Sequence, residues 1–323
     1  MTRFAIGVDL GGTNLRVGAI NENGALFDQL NLETLSERGR EDVVDRLTSG
    51  ILTLVARWEQ HYTLAGIGVG VPGIIKLQEG TVVASPNLPG WENFNVRGQI
   101  LKRLHTSIFL ENDANAAALG EKWMGVGKES DHLCLLTMGT GIGGGLILDG
   151  KIWHGISGMA AELGHVTIYP NGRICKCGSA GCLEAYAAAS AVVVGAQELL
   201  QSGKASAGLQ HLAATTERFT SAHVHQLAVE GDPSARSIFD EVGKALGIAI
   251  AIFTNIFDID LFVLGGGAVD AWDAFESSML EEVARRSYVY RNSPRRIVKT
   301  SLGGHAGIYG AAYLALQQGK GNS

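Results

Sequence analysis

The order of apolar and polar positions predicts a chain in which strands and helices alternate. Runs rich in apolar and β-branched residues open the sequence at 4–10, 15–21 and 25–33. Between 41 and 62, apolar residues recur three and four positions apart, which predicts an amphipathic helix. A continuous apolar run at 65–73 is typical of a strand that is buried on both faces.

The same pattern starts again further along the chain. A strand is predicted to end at Leu110, and an Ala-rich helix to begin near Asp113. Residues 132–153 then predict strand, Gly turn and strand, and residues 258–272 predict strand, Gly turn and helix. Because both halves begin with a hairpin around a Gly turn, we expect two related α/β domains with a cleft between them. We predict a small domain of residues 1–112 plus 305–323 and a large domain of residues 113–304.

Composition and charge exclude several classes of protein. The chain has 44 Gly and 6 Pro without a repeat period, which indicates tight turns and close backbone approaches. Its net charge of −6, with no block of Lys or Arg, lacks the electrostatic signature of a nucleic-acid-binding protein. The most apolar stretch, 245–257, is too short to span a bilayer and predicts a buried helix. The N-terminus enters a strand without a signal segment, so we expect a cytoplasmic protein with no membrane partner.

Three glycine-rich loops are candidates for phosphate binding: 9–16, 139–145 and 264–267. Glycine lets backbone N–H groups approach phosphate oxygens without a Cβ in the way. Each loop taken alone is more often a plain tight turn. A dinucleotide-binding fold needs a helix directly after such a loop, whereas strand-like residues follow the loop at 139–145. A Walker A loop needs Gly-Lys-Ser/Thr, which the chain lacks.

Three cysteines form a C-x-C-x4-C motif at Cys175, Cys177 and Cys182, and His165 lies ten positions upstream. Four nitrogen and sulfur ligands favour tetrahedral zinc, and a closed set of four indicates a structural site. The alternative is a group of unpaired buried thiols. Clustered thiols beside a histidine indicate metal binding in a reducing compartment more than disulfides. Cys134, alone on an apolar run, is expected in the core.

Two carboxylates lie where a strand ends. Asp113 stands at a strand-to-helix junction, from which a side chain can point into a cleft and act as a general base. Its alternative role is the N-cap of the helix, which the residues alone favour. Asp9 ends the first strand before Gly11, so it is a candidate to hold magnesium directly or through water. Its alternative role is to cap the turn onto Gly11.

The order of these parts resembles the superfamily of sugar kinases, actin and Hsp70. The segments "DLGGT", "GTGIGGG" and "LGGG" carry this resemblance. The segments "VPG" (71–73), "ENDANAAALGE" (111–121) and "ELGH…CKCGSAGCLE" narrow it to the ROK family of repressors, open reading frames and sugar kinases. The similarity runs from Phe4 to about Leu316, and the bacterial glucokinases are the most similar members. It implies an α/β, two-domain actin/hexokinase-like (ribonuclease H-like) fold with an interdomain cleft.

The resemblance also assigns roles to individual residues. It implies that Asp113 is the catalytic base and that Asn112 hydrogen-bonds the sugar. Glu162, His165 and Glu184 are expected to contact the hexose, with His165 bridging zinc and sugar. Asn87 is a weaker candidate for the sugar. The alternatives are surface glutamates, a histidine that only binds zinc, and a surface loop around Asn87.

ATP and Mg²⁺ are the cofactors that the resemblance implies, beside structural Zn²⁺. The residues expected to hold ATP and Mg²⁺ come from the three glycine loops: Asp9, Gly11, Gly12, Thr13, Gly139, Thr140, Gly141, Gly265 and Gly266. Thr13 and Thr140 are expected to donate hydroxyl hydrogen bonds to phosphate, and Gly265 and Gly266 to lie near the adenosine.

These features predict ATP-dependent phosphorylation of a hexose at its 6-hydroxyl, with glucose as the first candidate substrate. A kinase for N-acetylmannosamine, fructose or allose would keep the same base and the same cysteine cluster. A sugar-sensing regulator is the alternative from another class. The repressors of the family carry a DNA-binding module ahead of the kinase-like part, and a first strand beginning by Phe4 leaves no room for it. The family also implies a homo-oligomer, a dimer or a tetramer, with no nucleic-acid partner.

Overall fold

The computed structural model describes residues 1–318 and contains the alternating strands and helices that the pattern predicts. The strands are β1 (Arg3–Leu10), β2 (Asn14–Asn21), β3 (Leu26–Glu33), β4 (Thr63–Val71), β5 (Ile74–Lys76), β6 (Thr81–Ala84), β7 (Ile108–Asn112), β8 (Leu133–Met138), β9 (Ile142–Leu148), β10 (Lys151–Ile152), β11 (Leu261–Gly265) and β12 (Arg296–Lys299). The helices are α1 (Arg40–Trp58), α2 (Val96–Leu101), α3 (Asp113–Met124), α4 (Glu184–Ala187), α5 (Ala189–Gln201), α6 (Ala207–Thr215), α7 (Ser221–Val229), α8 (Pro233–Phe257), α9 (Trp272–Arg286), α10 (Tyr288–Asn292) and α11 (Ala306–Gln318). Short 3-10 helices lie at Ser36–Arg38, Leu163–His165, Gly267–Ala271 and Gly303–His305.

The helix predicted at 41–62 ends earlier than the periodicity indicates. Helix α1 stops at Trp58, and the chain turns before β4 begins at Thr63. The ring of Tyr62 stacks on that of Phe27, with centroids 4.9 Å apart. Aromatic packing against the sheet therefore takes Tyr62 out of the helix, although its apolar character fits the helical pattern.

Two five-stranded sheets carry the fold. The first has the order β3-β2-β1-β4-β7, in which β1, β2 and β3 pair antiparallel, whereas β1, β4 and β7 pair parallel. The second has the order β10-β9-β8-β11-β12, with β11 and β12 parallel and β9 and β10 antiparallel. A small antiparallel pair, β5 and β6, stands apart from both. The carboxyl ends of β1, β7, β8 and β11 are the places from which the candidate side chains and loops start.

Glycines in the first sheet allow a helix to lie directly on the strands. A Cβ at Gly7 on β1 would overlap the carbonyl of Ile308 in α11, and one at Gly68 on β4 would overlap that of Ala311. Both strands are otherwise packed with buried apolar side chains. The high glycine content therefore serves close backbone approach here, as the composition indicates.

The chain folds into two compact units. Among the described residues, the first comprises Met1–Leu135, Gly145–Ala161 and residues 300–318, and the second comprises Leu136–Gly144 and Glu162–Lys299. This division places α3 in the first unit, because α3 packs tightly against α11; a Cβ at Gly310 would overlap the carbonyl of Ala116. The sequence pattern placed residue 113 at the start of the large domain, and those domain limits stay a prediction.

The apolar stretch at 245–257 forms the C-terminal half of α8, the long central helix of the second unit, and most of it is buried. Asp232 caps α8, since its side chain accepts the N–H of Ala235 at 3.0 Å, and Pro233 occupies the first turn. Within residues 1–318, no helix combines the length and the hydropathy that crossing a membrane requires.

Candidate active site and cysteine cluster

The first glycine loop joins β1 to β2 and is held by hydrogen bonds from a buried threonine. Thr34 donates its hydroxyl to the carbonyl of Gly11 at 2.7 Å and its N–H to that of Thr13 at 2.8 Å. A Cβ at Gly12 would lie 2.8 Å from the carbonyl oxygen of Asn87. These contacts hold the loop, and Asn87 lies directly beside it. The role of Asn87 at the sugar stays a prediction.

Asp9 lies opposite Arg16 in the β1–β2 hairpin, and its Oδ2 accepts a hydrogen bond from the Arg16 guanidinium at 3.2 Å. Burial raises the pKa of the Asp9 carboxyl, while the charge and hydrogen bond of Arg16 act in the opposite direction. A Cβ at Gly307 would lie 2.8 Å from its Cγ. A cation at Asp9 would therefore share the carboxylate with Arg16 or bind through a water.

Asn112, and not Asp113, is the N-cap of α3. The side-chain oxygen of Asn112 accepts the N–H groups of Ala114 at 3.0 Å and Asn115 at 3.2 Å. Its side-chain nitrogen donates to the carbonyl of Gly73 at 3.1 Å. The half-buried carboxylate of Asp113 accepts the N–H of Ala114 at 2.9 Å. Asn112 therefore performs the capping that was the alternative role for Asp113. The side-chain nitrogen of Asn112 has one further hydrogen that it can donate to a ligand.

A partly buried ion pair between Glu111 and His154 lies behind the β7–α3 junction and was not predicted from the sequence. Glu111 is only 2% exposed. One of its oxygens accepts the N–H of Asn112 at 3.0 Å and the side-chain amide of Asn115 at 3.1 Å, and the other lies 2.8 Å from Nε2 of His154. The hydrogen bond that His154 donates to Glu111 raises the pKa of His154. The charged pair therefore braces the backbone at Asn112.

Replacing His154 by Gln is expected to destabilise the protein more at low pH than at high pH. Because the folded pKa of His154 is raised above 6.5, its ion pair contributes fully below that value and is lost as pH rises through the folded pKa. A hydrogen bond to a charged group contributes about 1.5–3 kcal/mol to stability. Because His154 is partly exposed, we expect its contribution at the lower end of this range. Thermal unfolding of variant and parent at about pH 5.5 and about pH 8 measures the difference in stability between them at each pH.

His211→Gln, an exposed change on α6, is the matched control and should show no such gap at either pH. A gap for His154→Gln that is equal at both values would contradict the role of its charge.

The other two glycine loops lie side by side in the second unit. Within the turn Gly139–Gly141, the N–H of Gly139 donates to the carbonyl of Gly141 at 2.9 Å. Gly266, after β11, has φ +84°, and a Cβ there would overlap the backbone of Met138, the residue before this turn. Only glycine therefore fits at 266, and this contact brings Gly265 and Gly266 next to Gly139 and Thr140.

A pocket opens beside Gly267. Its lining is mostly apolar, with Val192, Phe239 and Phe275 among its walls. His225 and Asp270 add polar groups at its edge. Such a lining suits a flat aromatic ring with a few polar edges.

His165, Cys175, Cys177 and Cys182 come together in the second unit, as their spacing predicts. Their ligand atoms all lie within 4.8 Å of one another. The sulfur of Cys175 is 3.6 Å from Nδ1 of His165, and those of Cys177 and Cys182 are 3.7 Å apart. Ligands at about 2.0–2.3 Å from a tetrahedral zinc ion have mutual separations of this size. The donor set therefore fits a four-coordinate metal ion.

The thiols differ in acidity. Burial raises the pKa of Cys175 to about 12 and also raises that of Cys182. A backbone hydrogen bond at Ser179 is the main cause that lowers the pKa of Cys177. A metal ion that binds all three sulfurs has to displace the protons of the two buried thiols.

Glu184 and Glu162, the two glutamates expected at the sugar, have different surroundings. Oε2 of Glu184 accepts the N–H of Ile142 at 2.9 Å, and its Oε1 lies 3.8 Å from the sulfur of Cys175. Glu162 is exposed and precedes the 3-10 helix that carries His165. Glu184 thus has a structural contact that the sequence did not reveal, whereas the side chain of Glu162 is accessible to a ligand.

The candidate residues therefore fall into two sets, each within one unit. The first unit holds Asp9, Gly11, Gly12, Thr13, Asn87, Asn112 and Asp113, and the second holds Gly139, Thr140, Gly141, Glu162, His165, Cys175, Cys177, Cys182, Glu184, Gly265 and Gly266.

Comparison with known proteins identifies the family. The sequence matches the ROK family model over residues 5–318. It is 39% identical to a glucokinase of Thermotoga maritima, over 96% of each chain. The structure resembles a ROK hexokinase of Thermus thermophilus, with a TM-score of 0.81 and 31% identity over 99% of this chain and 100% of that one. It also resembles a ROK family glucokinase of Streptomyces griseus in complex with glucose and AMPPNP, with a TM-score of 0.81 and 32% identity over 97% and 99% of the two chains.

These matches confirm the predicted two-domain, actin/hexokinase-like α/β fold. The agreement runs through nearly the whole chain, in sequence and in structure. The protein belongs to the ROK family.

Proposed function

We propose that the protein is an ATP-dependent glucokinase, which transfers the γ-phosphoryl group of ATP to the 6-hydroxyl of glucose. The observation that carries the proposal is Asp113 at the β7–α3 junction, where the neighbouring Asn112 performs the capping, in a chain that is 39% identical to a glucokinase. The enzyme is a phosphotransferase with an alcohol as acceptor.

Asp113 is the proposed catalytic base. A sugar hydroxyl is a weak nucleophile at neutral pH, and the carboxylate accepts its proton as the new O–P bond forms and the bond to ADP breaks. The hydrogen bond from the N–H of Ala114 orients the carboxylate. Behind it, the Glu111–His154 pair limits movement of the backbone at Asn112.

The glycine loops are the proposed phosphate-binding elements. Backbone N–H groups of Gly12 and Gly141 and the hydroxyls of Thr13 and Thr140 are suitable donors to phosphate oxygens. Gly11 and Gly139 are proposed to shape the two loops, because their N–H groups donate to the carbonyls of Asn14 and Gly141. When bound, Mg²⁺ neutralises charge on the phosphates, and Asp9 is the residue proposed to hold it. The apolar pocket beside Gly267, next to Gly265 and Gly266, is the proposed site of the adenine ring.

Five residues are the proposed sugar ligands: Asn87, Asn112, Glu162, His165 and Glu184. Carboxylate, amide and imidazole groups offer the acceptors and donors that a hexose requires. The cluster of His165, Cys175, Cys177 and Cys182 is proposed to bind a structural Zn²⁺ ion, because four ligands of this type leave no open coordination position. We further propose a cytoplasmic homo-oligomer, a dimer or tetramer, without nucleic-acid or membrane partners.

The test is a coupled assay of ADP release with glucose, N-acetylmannosamine, fructose, mannose and allose. We expect turnover with glucose at the highest kcat/KM. Preference for another sugar would retain the phosphoryl-transfer mechanism and replace the substrate. Absence of turnover with every sugar, from folded and zinc-loaded protein, would overturn the kinase assignment in favour of a sugar sensor.

A further inference from the structure

Glu184 connects the cysteine cluster to a glycine loop. It lies two residues after Cys182, at the start of α4. Its Oε2 accepts the N–H of Ile142, the residue that follows the Gly139–Gly141 turn, and a Cβ at Gly141 would overlap this same oxygen. Its Oε1 lies 3.8 Å from the sulfur of Cys175. One carboxylate therefore contacts both features.

The residues after Glu184 hold the same turn at two further points. The N–H of Ala189 donates to the carbonyl of Gly139 at 2.9 Å, and the hydroxyl of Ser190 donates to that of Thr140 at 2.8 Å. On the other side, a Cβ at Gly164, next to the ligand His165, would overlap the carbonyl of Ile142. The turn is therefore packed between two segments that are adjacent in sequence to proposed metal ligands: Glu184–Ser190, after Cys182, and Gly164, before His165.

We propose that Glu184 is a positioning residue that transmits the order of the metal-bound cysteine cluster to the Gly139–Gly141 turn, and so sets the affinity for the nucleotide. The inference rests on the proposed function, in which this turn binds phosphate. Ile142 begins β9, so fixing its N–H fixes the conformation in which the turn leaves β8 and enters β9. A charged acceptor makes this hydrogen bond stronger than one between neutral groups.

The test is hydrogen exchange at the amide of Ile142 in zinc-loaded protein without sugar or nucleotide. For Glu184→Ala we expect exchange at this amide to be about tenfold faster, because loss of this partly buried hydrogen bond to a charged group costs about this factor. Glu184→Gln keeps an oxygen acceptor, so its exchange rate at Ile142 should lie between those of the parent and Glu184→Ala. Glu281→Ala, an exposed change on α9, is the matched control and should exchange like the parent.

A second pair of variants leaves Glu184 in place. Gly141→Ala should displace the carboxylate and speed exchange at Ile142, whereas Gly139→Ala, where a Cβ meets no atom within 4 Å, should not. Removing zinc with a chelator should also speed exchange at Ile142. Where the protein shows kinase activity, the KM for ATP should rise about tenfold in Glu184→Ala, in line with the exchange.

Unchanged exchange at Ile142 in both Glu184→Ala and Gly141→Ala would overturn the proposal. Faster exchange after chelation, without any effect of Glu184→Ala, would also overturn it, because the order would then reach the turn through Ala189 and Ser190. Neither result depends on turnover, so a failure of the kinase assignment would be seen separately in the sugar assay.

Discussion

Replacing Asp113 by Asn is expected to lower kcat for hexose phosphorylation by about 10²–10⁴-fold, the usual contribution of a positioned general base. Asn preserves the size of the side chain, and its carbonyl oxygen can still accept the N–H of Ala114. It cannot accept the sugar proton, because an amide is not basic at neutral pH. Since Asn112 caps α3, the helix keeps its N-terminal hydrogen bonds in the variant.

Steady-state kinetics with saturating ATP and the preferred sugar measure this effect, together with the unfolding temperature. The KM for the sugar should change little, because the base acts in the transition state. Asp42→Asn, in the first turn of α1, is a matched change at another helix start and should retain full kcat. If Asp113→Asn lowers kcat by less than about threefold, the loss is far smaller than removal of a general base produces. That result would assign Asp113 to a structural role.

Local patterns predicted much of this protein. Alternating apolar runs located β1, β2 and β3, and the change to helical periodicity located α1. The C-x-C-x4-C spacing brought three sulfurs together within one short loop, because residues that close in sequence have few conformations in which to separate. The first residue of α3 was also predicted, since a strand followed by Asn-Asp and alanines signals a helix start.

Contacts between distant segments could not be predicted in this way. Glu111 and His154 are 43 residues apart, and Glu184 and Ile142 are 42 apart. Such pairs depend on how the elements pack, which a single sequence does not specify. Of the two adjacent residues Asn112 and Asp113, only the structure shows which one caps the helix. These long-range contacts are the ones that position the candidate catalytic and glycine-loop residues.

Replacing Cys182 by Ala is expected to abolish stoichiometric zinc binding and to unfold the segment around the cluster. Cys182 is fully buried and is one of the four proposed ligands. Structural zinc contributes folding free energy directly, with apparent values of about 10–16 kcal/mol in small zinc-finger peptides. The segment from Glu162 to Glu184 contains only a 3-10 turn and isolated bridges before α4, so we expect it to depend on the metal for its order.

Elemental analysis of purified protein should find about one zinc per chain in the parent and a small fraction of that in Cys182→Ala. Cys134→Ala is the matched control: this cysteine is equally buried, on β8 and outside the cluster, so the variant should keep its zinc. If order in the loop supports catalysis, kinase activity should fall with zinc content in Cys182→Ala and persist in Cys134→Ala. Zinc that stays bound to Cys182→Ala as tightly as to the parent in competition with a chelator would contradict the four-ligand site, because the variant has lost one proposed ligand.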